Sequence, residues 1–245
     1  MFYFDNFYGK KILKSSLLAD FDCFFTTREF VLTSAQRDDL IKDASYNRAL
    51  LLEKTSCDEI CTAKQIHSAN ISIVENNKYF YDETDALISN IENSIMLLNF
   101  ADCVPIILYS PKDNVGAIIH AGWRGTALNI AFLSAEKMID NFNIKPSNII
   151  ALIGPSIGKC CFETDYDVFD KLILDRLDKS LYIEKNGKYY IDLKLLNKNQ
   201  LVKAGIQNID ICDYCTCCMS DIFFSYRKEQ GITARHSAIV KIKRG

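Results

Sequence analysis

Leu98-Asn-Phe-Ala-Asp-Cys-Val-Pro105 and Ile119-His-Ala-Gly-Trp-Arg-Gly125 bracket the segment around which the chain is organised. Between them, Val104–Tyr109 and Val115–Ile119 are short, β-branched apolar runs. They are joined by Ser110-Pro-Lys-Asp-Asn114, which carries turn chemistry. This pattern predicts an antiparallel hairpin of buried strands. Cys103 lies just before the first strand and His120 at the end of the second, so the pairing brings thiol and imidazole to one end of the sheet. Gly122-Trp-Arg-Gly125 follows at once. Its glycines allow close approach of backbone to a ligand, and Arg124 offers a planar anion clamp.

Working outward, the 245 residues suffice for one large domain or two small ones, and they can bury a substantial core. No linker, internal repeat or low-complexity tract divides the chain, so a single domain over 1–245 is expected. With 49% apolar and 24% charged residues the composition is that of an ordinary globular protein, and no apolar run reaches the length of a membrane span. A net charge of −2 argues against nucleic-acid binding, which needs a basic surface. The first residues lack the order of a signal peptide. Ten cysteines without such a signal then point to a reducing cytoplasm.

On the N-terminal side, residues 1–27 read as short strands, and Ser34 is placed to cap a helix over 34–54 that contains Arg48. Residues 61–74 alternate in a way that predicts one half-buried strand with His67 pointing inward. Thr84–Asn90 is a turn leading into a short strand, and Ile95–Phe100 is a strand feeding the hairpin. On the C-terminal side, Thr126 is placed to cap a helix to Phe142, Ile149–Ile153 is a buried strand, and Gly154–Glu163 is a glycine-punctuated loop without Walker spacing. A helix opens at Thr164 or Asp165. Tyr182–Ile191 is a hairpin on Asn186-Gly187, Asp192 caps a helix ending at Gly205, and Ser237–Ile242 closes the chain.

Three constellations carry possible chemistry. His67, Cys103 and His120 offer the N and S donors of a catalytic zinc site, but their spacing alone is a weak signal and favours a core histidine and a buried thiol. Cys212, Cys215, Cys217 and Cys218 could hold a structural metal or act in redox. However, four thiolates within seven residues rarely all reach one tetrahedral ion, so incidental or oxidation-sensitive thiols are expected. Arg124 and Arg227 sit in glycine- or aromatic-flanked motifs that suit a phosphate or carboxylate, or equally cation–π packing on Trp123 and Tyr226.

Lys64-Gln-Ile-His-Ser68, Thr84-Asp-Ala-Leu-Ile88, Ala101-Asp-Cys-Val-Pro105, His120-Ala-Gly-Trp-Arg-Gly125, Gly154-Pro-Ser-Ile-Gly158 with Cys161-Phe-Glu163, and Phe223-Phe-Ser-Tyr-Arg227 occur together and in this order. Thr26-Thr-Arg28 and Asn47-Arg48 extend the match. Taken together they resemble the YfiH family, the laccase-domain or "polyphenol oxidase" proteins associated with purine nucleoside phosphorolysis. The resemblance implies an α+β fold, a four-layer α/β/β/α sandwich with mixed sheets. It also implies that His67, Cys103 and His120 form the catalytic centre and bind zinc, with copper as the alternative metal. The chain departs from the family pattern at Glu29-Phe-Val-Leu-Thr33, where a His-Gly-Gly-x-Ser stretch is usual. It departs again at Thr233-Ala-Arg235 and at Lys228.

The activity implied is phosphorolysis of adenosine, inosine, guanosine or methylthioadenosine, together with deamination of adenosine. In a nearly neutral chain a phosphate site must be made locally, and Arg28, Arg48 and Arg227 are the candidate donors. The expected partners are small molecules, purine nucleosides and phosphate, with no nucleic acid and no membrane. Other readings are a copper-dependent polyphenol oxidase, a cysteine hydrolase of a cell-wall peptide precursor with Cys103 as nucleophile, and a metal-stabilised binding protein. Three histidines in all cannot build a histidine-rich cluster of several coppers.

Overall fold

The computed structural model describes residues 1–35, 37–173 and 178–244. The first half comprises β1 (Phe2–Phe7), β2 (Lys10–Ser15), β3 (Cys23–Thr26), α1 (Ile41–Thr55), β4 (Ile60–Ala63), β5 (Ile71–Ile73), β6 (Phe80–Tyr81), β7 (Ala86–Ser89) and β8 (Ile95–Phe100). The hairpin strands β9 (Val104–Ser110) and β10 (Val115–Ala121) follow, then α2 (Trp123–Ala127), α3 (Ile130–Phe142) and β11 (Ile150–Ile153). The chain ends with β12 (Glu163–Thr164), α4 (Tyr166–Ile173), β13 (Tyr182–Lys185), β14 (Lys188–Ile191), α5 (Leu193–Lys203), β15 (Asn208–Ile211) and β16 (His236–Lys241).

Two mixed sheets form the centre. One has seven strands in the order β1-β2-β3-β16-β8-β4-β6, the other six in the order β15-β11-β9-β10-β7-β5. Parallel pairs (β4 with β8, β5 with β7, β11 with β15) are interspersed among antiparallel ones. Side-chain parity explains the layering. In β9, Ile107 and Tyr109 join a core with Met96 and Leu98 of β8, whereas Ile106 and Leu108 pack with Ile130, Ala135 and Leu196 of α3 and α5. Ile95 and Leu97 of β8 turn the other way, onto Leu51 of α1. Strands buried on both faces must be apolar at every position, hence the continuous runs seen in the sequence. The result is the expected α/β/β/α sandwich.

The hairpin forms with Ile118 opposite Ile107 and His120 opposite Pro105. Strand β8 does feed β9, but the two belong to different sheets. The chain crosses from one sheet to the other at Ala101–Cys103, through Asp102 at φ 83°. Cys103 therefore lies at the seam between the sheets.

Several boundaries differ from expectation. Ser34 does not cap α1, which begins at Ile41 behind a short 3₁₀ turn at Asp38–Leu40. Thr126 does not cap a helix either: it is buried, and its Oγ1 accepts a hydrogen bond from Asn197 Nδ2 (2.9 Å). The helical stretch breaks at Asn129, at φ 62°, into α2 and α3. At Asn186-Gly187 both residues have positive φ (53° and 71°), as the two-residue hairpin requires. Asp192 caps α5 by accepting from the Leu195 N–H (3.0 Å).

Candidate active site

His120, next to last in β10, lies on the face turned toward the other sheet, where its ring packs against Phe100 (centroids 5.4 Å apart). Its backbone N–H donates to the Asp85 carbonyl (2.7 Å), and its Nδ1 lies 2.8 Å from Asp85 Oδ1. Asp85, fully buried just before β7, also accepts from the backbone N–H of His67 (2.9 Å) and Ser68 (2.7 Å) and from Ser68 Oγ (2.7 Å). One carboxylate thus orients one imidazole and wraps the loop that carries the other.

This arrangement corrects the strand expected over 61–74. The chain is extended only in β4 and β5, and His67 sits between them, exposed and at φ 63°. Alternation placed His67 facing inward on a strand. Instead, hydrogen bonds to Asp85 replace ladder bonds and turn the loop over the site. Gln65 anchors the start of this loop by exchanging two hydrogen bonds with the Asn99 backbone (2.8 and 2.9 Å). The His67 and His120 rings meet edge to face with centroids 4.8 Å apart.

The ligand atoms of His67, Cys103 and His120 all lie within 4.8 Å of one another. A Cβ at Gly122 would fall 3.0 Å from His67 Cδ2 and 3.1 Å from Cys103 Sγ, so only glycine leaves this cradle open. Burial opposes ionisation of the Cys103 thiol, yet the charge and hydrogen bond of His120, with help from His67, bring it down to about 6. Burial likewise opposes charge on His120, but the Cys103 thiolate and Asp85 raise it to about 9. Asp85 is held down at about 2, because hydrogen bonds from His120 and Ser68 outweigh its burial. The residues fit a metal: two imidazoles and a ready thiolate, with His120 Nδ1 committed to a carboxylate that fixes the ring. Such a set suits zinc with one open position, and it is also the ligand composition of a blue-copper centre.

The three residues line a cavity of about 580 Å³, within the range that holds a small ligand. Trp123, Phe162 and Tyr226 supply aromatic surface, and Arg124, Arg227 and Arg235 supply charge. Of Arg28, Arg48 and Arg227, only Arg227 lines the cavity, and Arg124, also in the lining, packs over the Trp123 ring (4.3 Å). The Arg227 guanidinium donates to the carbonyls of Cys161 (2.8 Å) and Glu163 (3.1 Å), and its backbone N–H donates to Asp102 Oδ2 (2.7 Å). Asp102 also accepts from Thr216 Oγ1 (2.7 Å), so this residue beside Cys103 ties the thiol's turn to the arginine's.

Arg28 and Arg48 lie outside the cavity lining. Arg28 is ion-paired with Glu229, donates to the Phe223 carbonyl and stacks on Phe224. Arg48 is half-buried on α1 with its guanidinium 3.4 Å from the Leu32 carbonyl. Arg235, quoted in the sequence only as a departure from the family pattern, occupies the cavity instead and is anchored by the Thr233 and Ala234 carbonyls (2.8 and 2.9 Å). The roles of Asp85 and Asp102 carried no signal beyond their place in short motifs.

Fold and site together define a YfiH-type α/β/β/α protein with a His–Cys–His centre. The chain belongs to the family whose model is described as "Multi-copper polyphenol oxidoreductase laccase", which matches residues 28–243. It is 38% identical over 161 residues to purine nucleoside phosphorylase YlmD of Geobacillus stearothermophilus, a match covering 64% of this chain and 59% of that protein. It is 30% identical over 207 residues, 78% of each chain, to adenosine deaminase RL5 from an unknown prokaryotic organism. The crystal structure of the Bacillus licheniformis hypothetical protein YfiH superposes with a TM-score of 0.88 at 29% identity, covering 98% of this chain and 99% of the other. Among the described residues no helix is long and apolar enough to cross a membrane.

Proposed function

We propose that the protein is a zinc-dependent purine nucleoside phosphorylase that also deaminates adenosine. The observation that carries this reading is the convergence of His67, Cys103 and His120 on one side of a cavity that also holds Arg227, Arg235 and three aromatic rings. The names of the relatives supply the substrate class. Zinc bound by His67, Cys103 and His120 would supply Lewis acidity at this wall of the cavity.

The remaining parts are the chain's own. Phe162 and Tyr226 line the cavity with aromatic surface suited to a purine. Arg227 and Arg235 are oriented by backbone carbonyls and are placed to hold phosphate. In phosphorolysis a phosphate oxygen attacks C1′ of the ribose as the C1′–N9 bond breaks, and the base leaves carrying a proton. The arginines stabilise the incoming anion, and the aromatic walls keep base and ribose aligned with it. Committing Cys103 to the metal leaves its sulfur a poor nucleophile, which disfavours the hydrolase reading.

Incubation of the zinc-loaded protein with adenosine and phosphate tests the reading. Ribose-1-phosphate equal to the total free base, adenine together with any hypoxanthine from inosine, is expected. Adenine released with free ribose and no dependence on phosphate would show a hydrolase instead.

A further inference from the structure

Four thiols lie together outside the cavity. Cys160 and Cys161 come from the loop after β11, and Cys215 and Cys218 from the turn after β15. Their sulfurs all lie within 4.8 Å of one another. Cys218 Sγ is 3.6 Å from Cys160 Sγ and 3.4 Å from Cys161 Sγ. Four thiolates around a zinc ion at about 2.3 Å stand at the corners of a tetrahedron with edges of about 3.8 Å. The sulfurs are already at nearly that spacing.

The sequence expectation treated Cys212, Cys215, Cys217 and Cys218 as one crowded group, too close along the chain to share an ion. The fold regroups them. Cys212 is buried and lies away from the cluster, and Cys217 stands beside Cys161 without being one of the four, while two thiols from a loop more than fifty residues away complete it. The two segments are held in register by backbone as well as sulfur. Ser156 and Cys215 form an isolated parallel bridge, and the Thr216 N–H donates to the Ser156 carbonyl (3.1 Å). The Gly158 N–H donates to Cys215 Sγ (3.2 Å), a contact that favours the thiolate.

We propose that Cys160, Cys161, Cys215 and Cys218 form a second metal site, a closed tetrathiolate centre for zinc that is structural rather than catalytic. With all four positions taken by protein, no place remains for substrate or water. Binding displaces the thiol protons and leaves the centre with two negative charges. Arg227 stands close by, bound to the Cys161 carbonyl, so the positive charge at the rim of the cavity lies next to that excess. The ion staples the loop bearing Ile157 and Phe162 to the turn that precedes Tyr226 and Arg227, all four of which line the cavity.

The test is metal counting on protein purified under reducing conditions, loaded with zinc and freed of excess. Wild type and Cys217→Ser should carry two equivalents per chain, and Cys218→Ser and Cys160→Ser one, with circular dichroism confirming that each variant is folded. Loading with cobalt(II) instead of zinc should give the charge-transfer and visible bands of a tetrahedral tetrathiolate in wild type, in His120→Ala and in Cys217→Ser, and neither Cys218→Ser nor Cys160→Ser should show them. Loss of metal in His120→Ala alone bears on the His–Cys–His centre, and loss in Cys218→Ser alone bears on this cluster, so the two claims fail separately. One equivalent in wild type that vanishes in His120→Ala, with no tetrathiolate bands, would overturn the proposal. So would a mass lowered by two hydrogens in reducing buffer, which would mean a disulfide.

Discussion

Asp85 holds both histidines of the centre, His120 by a side-chain hydrogen bond and His67 by its backbone N–H, so one substitution reaches two of the proposed ligands. Asp85→Asn keeps the size of the group but removes the charge that fixes the His120 ring. Partners of this kind govern metal affinity by roughly 10–100-fold. A loss of that size is expected in competition with a chelator, while the far-ultraviolet circular dichroism stays unchanged. Arg227 poses a different question, because it touches the cavity rather than the metal ligands. Arg227→Ala should weaken phosphorolysis by about 1.5–3 kcal/mol, the scale of a hydrogen bond to a charged group. The loss should appear in the dependence on phosphate concentration, with adenosine deamination and bound zinc at the His–Cys–His centre much less affected. Equal loss of both activities with zinc intact would assign Arg227 to the purine.

At the scale of elements, the two sheets touch so closely that some positions tolerate no side chain. A Cβ on Gly154, just beyond β11, would lie 2.4 Å from Cε1 of Phe25 on β3. Gly154→Ala should therefore cost about 1–3 kcal/mol, the usual penalty for overpacking, read as a lower urea midpoint with an unchanged m-value. Most elements were legible because local chemistry sets them. The apolar runs of β8 to β11, the Asn186-Gly187 turn and the Asp192 cap each carry their own signal. Cys103 and His120 were legible as a pair because a hairpin's register joins them. His67 was grouped with Cys103 and His120, which the fold does bring together, but for the wrong local reason: no periodicity reports a loop bent around an aspartate eighteen residues further on. The arginines show the same limit. Whether Arg28 meets phosphate or Glu229 depends on how two distant segments pack, and composition is silent on that.

Across the whole molecule, the three histidines have separate fates. Two form the centre, while His236 is buried in β16 between Phe100 and Phe223 (centroids 6.4 and 5.6 Å). Burial, only partly offset by the Pro155 carbonyl, pushes its pKa down to about 3 from the ordinary 6.5. A group depressed in this way takes up its proton first in the unfolded chain. Its contribution to stability is therefore complete above pH 6.5 and is lost as the pH falls from 6.5 toward 3. The slope it adds is about 1.4 kcal/mol per pH unit. Urea unfolding of His236→Gln between pH 4 and 6 should show a shallower acid limb than wild type by roughly that slope, and an unchanged limb would mean that His236 is solvated. The overall claim is that the same seam between the sheets binds the metal and turns over the nucleoside. The most direct measurement titrates zinc into metal-free protein and follows bound metal and ribose-1-phosphate formation together, in wild type and in His120→Ala. The account predicts that wild-type activity rises in proportion to filling of the His67–Cys103–His120 centre, and that His120→Ala binds one equivalent fewer and forms no ribose-1-phosphate. Full phosphorolysis by His120→Ala lacking that equivalent, or wild-type activity independent of zinc, would contradict it.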